Sequence, residues 1–195
     1  MSTLPEAILN FAAKLSEGKP IAAKSLLHLG NRAAVDQALS RLARSGKLIR
    51  AGRGLYLQRV EGRFGPRPPT ASNVVEAVAE QRGETVVASG AAEANALGLT
   101  TQVPVREVYL TSGPNRRLRL GAQEIELRHA PAWQLILPGR SAGSAVRALA
   151  WLGRERAHEA LPSRLSERDL QELLGARARL PTWMAREVST LAAHG

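Results

Sequence analysis

Arg32, Gln37, Ser40, Arg41 and Arg44 recur at helical spacing early in the chain, and all can recognise a nucleobase edge or a phosphate. Lys47, Arg50 and Arg53 follow closely. A guanidinium fork matches the O6/N7 edge of guanine, a carboxamide matches the N6/N7 edge of adenine, and a hydroxyl serves either. Arg53 stands between Gly52 and Gly54, a flexible cationic tip suited to phosphates or to the minor groove. The chemistry these residues offer is recognition of double-stranded DNA.

Groups that make or break bonds are harder to assemble. Glu124 and Glu126 stand two apart on one strand face, which is the nearest approach to a Mg²⁺-holding carboxylate pair of a nuclease. Such a site needs a further carboxylate and a lysine, and no lysine follows Lys47, so the pair reads as a solvated strand face. Ser89 and the Ser141/Ser144 pair lack the context of a nucleophile elbow. The glycine-rich stretches lack a phosphate-loop lysine. There is no cysteine, and His28, His129, His158 and His194 show no ligand spacing. The expectation is therefore a non-enzyme with no catalytic residue, no metal and no cofactor. Arg116, Arg117 and Arg119, with Arg128 beyond them, form a local basic patch. It reads as a partner-binding surface for nucleic acid or an acidic protein, or as a solvated sheet face.

The charge is unevenly placed. Of a net +10, residues 1–60 hold ten Lys/Arg against three Asp/Glu, while residues 73–195 hold fifteen against thirteen. An excess concentrated in one segment is the electrostatic footprint of a phosphate-binding module. Aromatic residues make up only 4 %, which argues against a base-stacking platform for single strands. No apolar run approaches the roughly 20 residues of a membrane span. The first residues carry no cationic, apolar leader, so a cytoplasmic protein is expected.

These residues must be positioned by local elements. Leu4–Ser16 predicts a first helix, capped by Ser2 or Thr3 with Pro5 in its first turn. Ala22–Leu29 predicts a short second helix stopped by Gly30. Asn31 caps a third that runs to Ser45, with Gly46 as its stop. Val35, Ala38, Leu39 and Leu42 make its apolar stripe, which leaves the polar side chains opposite. Lys47–Leu57 predicts a hairpin around Gly52-Arg53-Gly54. Helix, helix, capped helix and basic hairpin is the order of a winged helix-turn-helix domain, assigned to residues 1–60. Pro66, Pro68 and Pro69 mark residues 61–72 as a linker.

Residues 73–195 predict a mixed domain. A helix runs to Gln81, and a short strand covers Glu84–Ala88. A small alanine-rich helix spans Gly90–Leu97, and Gly98–Pro104 is a loop. Strands follow at Arg106–Thr111, Arg116–Leu120 and Glu124–Arg128, with Leu118, Leu120, Ile125 and Leu127 on one face. Helices at Ser141–Leu152, Ser166–Leu174 and Pro181–Ala193 finish the chain. Ser166 and Asp169 form a capping box, and Trp151 and Trp183 are expected in helix packing. The fold class is α+β: a winged helix-turn-helix, then a small antiparallel sheet and C-terminal helices.

Gly30-Asn-Arg-Ala-Ala-Val-Asp-Gln-Ala-Leu-Ser-Arg-Leu-Ala-Arg-Ser-Gly46 followed by Arg53-Gly-Leu-Tyr56 resembles the N-terminal domain of AbiEi-type antitoxins. Ser89-Gly90, Leu97-Gly-Leu-Thr-Thr-Gln-Val-Pro104, Val108-Tyr-Leu-Thr111 and Gly121 continue the resemblance, which extends to about Leu152. The resemblance implies a transcriptional regulator and antitoxin of a two-gene, abortive-infection-like phage-defence system. It implies that the winged helix binds repeats in its own promoter and represses it, and that the second domain counteracts a nucleotidyltransferase-like toxin. By motif match, Arg32, Gln37, Ser40, Arg41 and Arg44 contact bases and backbone, and Arg50 and Arg53 are wing contacts. The resemblance carries over no toxin-facing residue; Arg116, Arg117 and Arg119 are assigned from charge alone. Small modules of this kind bind paired half-sites as dimers, with centres about 34 Å apart. The alternative is a stand-alone regulator whose second domain senses a ligand or dimerises.

Overall fold

The computed structural model describes residues 3–103, 105–154, 156 and 165–194. Ser2, Pro104 and His158 lie outside them. The chain is a mixed α and β structure, divided into two units: Met1–Gly83 with Arg116–Glu126, and Glu84–Asn115 with Leu127–Gly195.

In the first unit, helix α1 spans Leu4–Ala12. The Thr3 backbone N–H donates to Glu6 Oε2 at 2.8 Å, which satisfies a donor the helix end cannot. The helix stops four residues before the predicted Ser16, and the chain turns through Leu15, whose N–H reaches the Ala12 carbonyl. The predicted second helix contracts to a 3₁₀ turn, Ala23–Leu26. The reason lies on its N-terminal side: Ile21 is extended, and its N–H donates to the Tyr56 carbonyl at 2.8 Å in an isolated bridge. Pinned there and stopped at Gly30, the segment has room for one tight turn that buries Leu26.

Helix α2 (Arg32–Arg44) forms as the cap and stop residues predict. Asn31 Oδ1 accepts from the Ala34 N–H at 2.9 Å. Gly46 takes φ +73°, and the Lys47 N–H returns to the Leu42 carbonyl. Strands β1 (Leu48–Gly52) and β2 (Leu55–Gln58) pair antiparallel, with Ile49 opposite Leu57. Ile8, Leu26, Val35, Leu39, Leu48 and Tyr56 close one core among these elements.

The proline-rich segment is not an open linker. Strands β3 (Val60–Gly62) and β4 (Gly65–Arg67) form a second antiparallel hairpin. Its base is tied to the turn after α1: Glu17 accepts from Arg67 Nη1 at 3.0 Å and from the Thr70 N–H at 2.9 Å. Both bonds, with the Arg67 guanidinium leading, hold the Glu17 carboxyl below the usual carboxylate range. Gly18, at φ +82°, approaches so close that a Cβ there would lie 2.6 Å from the Asn73 carbonyl carbon. Helix α3 (Ala71–Arg82) then follows within the same unit, so the boundary expected at 61–72 moves to Gly83.

Strands β5 (Val86–Ala88), β6 (Glu107–Thr111), β7 (Arg116–Leu120) and β8 (Gln123–His129) run in the order β5-β6-β8-β7. Because β8 lies between β6 and β7, the sheet is not a simple meander. Strand β5 pairs antiparallel with β6, with Val86 opposite Thr111. Leu118, Leu120, Ile125 and Leu127 are all buried, as the alternation predicts.

In the second unit, helix α4 (Gly90–Ala96) packs on α5 (Ser141–Leu152). Helices α6 (Glu167–Ala176) and α7 (Thr182–His194) complete a core of Val146, Leu149, Leu173, Met184 and Val188. The capping box forms: the Asp169 N–H donates to Ser166 Oγ, and the Ser166 N–H to Asp169 Oδ2. Asp169 also accepts a short hydrogen bond from Ser141 Oγ. That bond first, and the Ser166 hydroxyl second, depress the Asp169 carboxyl below its usual range. Trp183 packs against this core as expected, but Trp151 does not hide: it is 42 % exposed. Among the described residues, no helix is long and apolar enough to cross a membrane.

Candidate nucleic-acid interface

Helix α2 separates its residues by chemistry. Val35, Ala38, Leu39 and Leu42 are buried, which is worth about 1.5–3 kcal/mol for each large aliphatic side chain. Arg32, Gln37, Arg41 and Arg44 are exposed on the other side. Ser40 is half-buried, at the edge between the faces. Gln37, Arg41 and Arg44 stand at steps of four and three, one stripe that advances about 10 Å along the axis. That length matches about three base steps at 3.4 Å per step. Arg41 and Arg44 lie in the last turn, where cations also complement the helix dipole. Arg32 is partly committed: its Nε donates to Asp36 Oδ2 at 2.8 Å, both groups being more than half exposed.

The β1–β2 hairpin extends this surface. Arg50 and Arg53 are exposed, as is Lys47 just before the strand. The pairing shifts between Arg50 and Gly52, so Ala51 is an extra residue, and Arg53 stands at the tip with Gly54 at φ +69°. Arg59, just beyond the end of β2, is spent elsewhere. Its Nε donates to the Gly46 carbonyl at 2.7 Å and braces the end of α2.

The sequence reading missed the second hairpin. Gly62 opposes Gly65, so Arg63 and Phe64 form a two-residue tip. Phe64 is 97 % exposed, with the Arg63 guanidinium 5.7 Å from its ring centroid. The signal was present in Gly62-Arg-Phe-Gly65, the glycine-flanked pair of a tight turn, but the neighbouring prolines masked it.

Arg116, Arg117 and Arg119 are not one patch. Strand parity places Arg116 with the buried Leu118 and Leu120, and it is half-buried. Arg117 and Arg119 are exposed on the other face, where Glu124 lies 3.6 Å and 3.9 Å from them. Glu124, one of the paired carboxylates, therefore serves these arginines. Among the described residues, no three His, Cys, Asp or Glu side chains gather as a metal site would need.

Compared with known proteins, the chain matches the family described as a family of unknown function (DUF6088) over residues 7–174. No curated protein and no solved structure matches it.

Proposed function

The chain belongs to the DUF6088 family, and we propose that it is a DNA-binding transcriptional regulator whose first unit acts as a winged helix-turn-helix. Helix α2 is the recognition helix, the β1–β2 hairpin is the wing, and Ile21 supplies the short extended segment that pairs with the wing strand at Tyr56. The observation that carries the reading is the α2 face: Gln37, Arg41 and Arg44 stand exposed along one stripe, anchored from behind by a fully apolar one. Lys47, Arg50 and Arg53 add phosphate or minor-groove contacts.

The resemblance to AbiEi-type antitoxins extends this reading to a cytoplasmic autorepressor that binds repeated half-sites of its own promoter as a dimer. On the same ground it opposes a nucleotidyltransferase-like toxin encoded beside it. That half rests on the resemblance alone, with Arg117 and Arg119 the exposed arginines of the assigned trio. The competing reading is a stand-alone regulator whose second unit senses a ligand or dimerises. Relief of growth arrest when the chain is co-expressed with the neighbouring gene product separates the two.

The deciding experiment is a gel-shift titration on the chain's own upstream DNA against a scrambled duplex, at two salt concentrations. A shift specific to the upstream DNA is expected. Only weak binding, equal on both duplexes and abolished by salt, refutes the regulator reading.

A further inference from the structure

The β3–β4 hairpin holds Phe64 at its tip almost wholly in solvent, a placement that the hydrophobic effect opposes. The mount beneath it is stiff. Arg67 in β4 gives Nη1 to Glu17 Oε1 at 3.0 Å and Nη2 to Glu17 Oε2 at 3.4 Å, a two-point contact of guanidinium with carboxylate. The Thr70 N–H adds a third bond to the same carboxylate. Gly62 faces Gly65, which takes φ +107°, so the chain reverses over two residues and leaves Arg63 and Phe64 projecting. With three residues in each strand, the tip stands about 10 Å beyond its base.

The hairpin starts where α2 ends. Arg59 directly precedes β3, and its bond to the Gly46 carbonyl ties the root of the hairpin to the end of α2 that carries Arg41 and Arg44. At the tip, the Arg63 guanidinium lies 5.7 Å from the Phe64 ring centroid, so a cation and a flat apolar ring are presented together. Glu61 stands two residues behind Arg63, about 7 Å back along the strand. The neighbours of the ring along the hairpin are Gly62, Arg63, Gly65 and Pro66. They offer little apolar area beside it, far from the roughly 800 Å² per partner of a protein interface. One ring with a cation beside it fits a narrower target, the gap between two stacked base pairs beneath a phosphate backbone.

We propose that Phe64 is an intercalating wedge, which enters the minor groove of duplex DNA beside the α2 site and unstacks one base step while Arg63 contacts the phosphates there. The proposal rests on the DNA-binding reading of the first unit. The reach of the tip spans a minor groove about 7.5 Å deep. Apolar wedges of this kind kink the duplex by about 20–90°. Pyrimidine–purine steps such as TA and CA unstack most easily, so the wedge selects them without reading a base edge.

The test follows affinity and end-to-end energy transfer in a duplex of the chain's own upstream DNA, labelled at both ends and titrated with the full chain. The wild type bends the duplex by about 20–90°. Phe64→Ala leaves the circular dichroism spectrum and Tm unchanged, removes most of the bend and weakens binding about five- to hundredfold, as loss of a base-stacking ring does. Phe64→Leu, still an apolar wedge, keeps most of the bend. Arg63→Ala keeps the bend and lowers the slope of log K against log salt by about one. Arg41→Ala, in α2, weakens binding and leaves the bend of the complex that still forms. A specific shift without a bend, or a Phe64→Ala complex bent and bound like the wild type, overturns the wedge and leaves the α2 reading standing. Absence of any specific shift overturns both. A Phe64→Ala chain with altered sedimentation but an unaltered DNA bend gives the ring to self-association and likewise overturns the proposal.

Discussion

Replacing Gly90 by Ala sets two opposite effects against each other. A helical glycine exchanged for alanine ordinarily gains up to about 1 kcal/mol through backbone entropy. At Gly90 the new methyl meets the Arg147 carbonyl oxygen and comes within 2.8 Å of Trp151 Cβ. Carbon atoms rest about 3.5–4.0 Å apart, so the second contact is too close by roughly 1 Å. Neither obstacle is the far end of a flexible side chain: one is backbone, the other is fixed to it. Helix α4 must therefore separate from α5, at the overpacking cost of about 1–3 kcal/mol or more. The clash wins, and a net loss of about 1–2 kcal/mol is expected, which lowers Tm by about 2–8 °C in a chain of this size. Thermal unfolding followed by far-UV circular dichroism measures it. Gly46 is the control. It has open space for a Cβ but φ +73°, so Gly46→Ala costs about 1–2 kcal/mol through backbone strain. Asn at position 46 recovers most of that, whereas Asn at position 90 is worse than Ala. A Gly90→Ala protein with unchanged or raised Tm would falsify the backbone-to-backbone contact.

Three further outcomes follow from the geometry. Arg41→Ala or Arg44→Ala should cost about 1–3 kcal/mol of operator affinity in a gel shift and relax preference at one base position; equal affinity for every duplex tested counts against α2 as the reading helix. Arg53→Ala should weaken binding evenly across sequences and reduce the slope of log K against log salt by about one; an unchanged slope removes the hairpin tip from the phosphate contacts. Asp169→Asn should destabilise the second unit by about 1–3 kcal/mol at neutral pH, because two hydroxyl donors lose a charged acceptor. Since the folded carboxyl is depressed, its contribution is complete above the ordinary carboxylate range and fades as pH falls through its lowered value. The gap between wild type and variant in urea unfolding should therefore close in acid, and a gap constant with pH contradicts this.

What was legible in the sequence was local. Asn31 and Gly46 bracket α2, its stripe of Val35, Ala38, Leu39 and Leu42 is read at sight, and Ser166 and Asp169 announce their capping box. Strand parity likewise places Leu118, Leu120, Ile125 and Leu127 inside. The same parity already separates Arg116 from Arg117 and Arg119, a distinction that reading the three as a charge cluster overlooks. What stayed hidden depends on distant partners. Glu17 turns a proline-rich stretch into a tethered hairpin from fifty residues away. Arg59 is tied down by a carbonyl thirteen residues earlier. The exposure of Trp151 follows from where neighbouring elements leave a gap, which no helical periodicity encodes.

The first unit is written in two instalments, Met1–Gly83 and Arg116–Glu126, with part of the second between them. A ribosome must therefore deliver residue 126 before the unit is whole. Until then β1 lacks β7, whose Leu118 packs beside Gly52. A fragment cut at residue 60 would lose that strand along with the Glu17 tether and the close seat of Gly18 on α3. Expressed alone, residues 1–60 should thus be less stable than in the full chain. Circular permutation, with new ends placed between the two instalments, is a sounder way to isolate it than truncation.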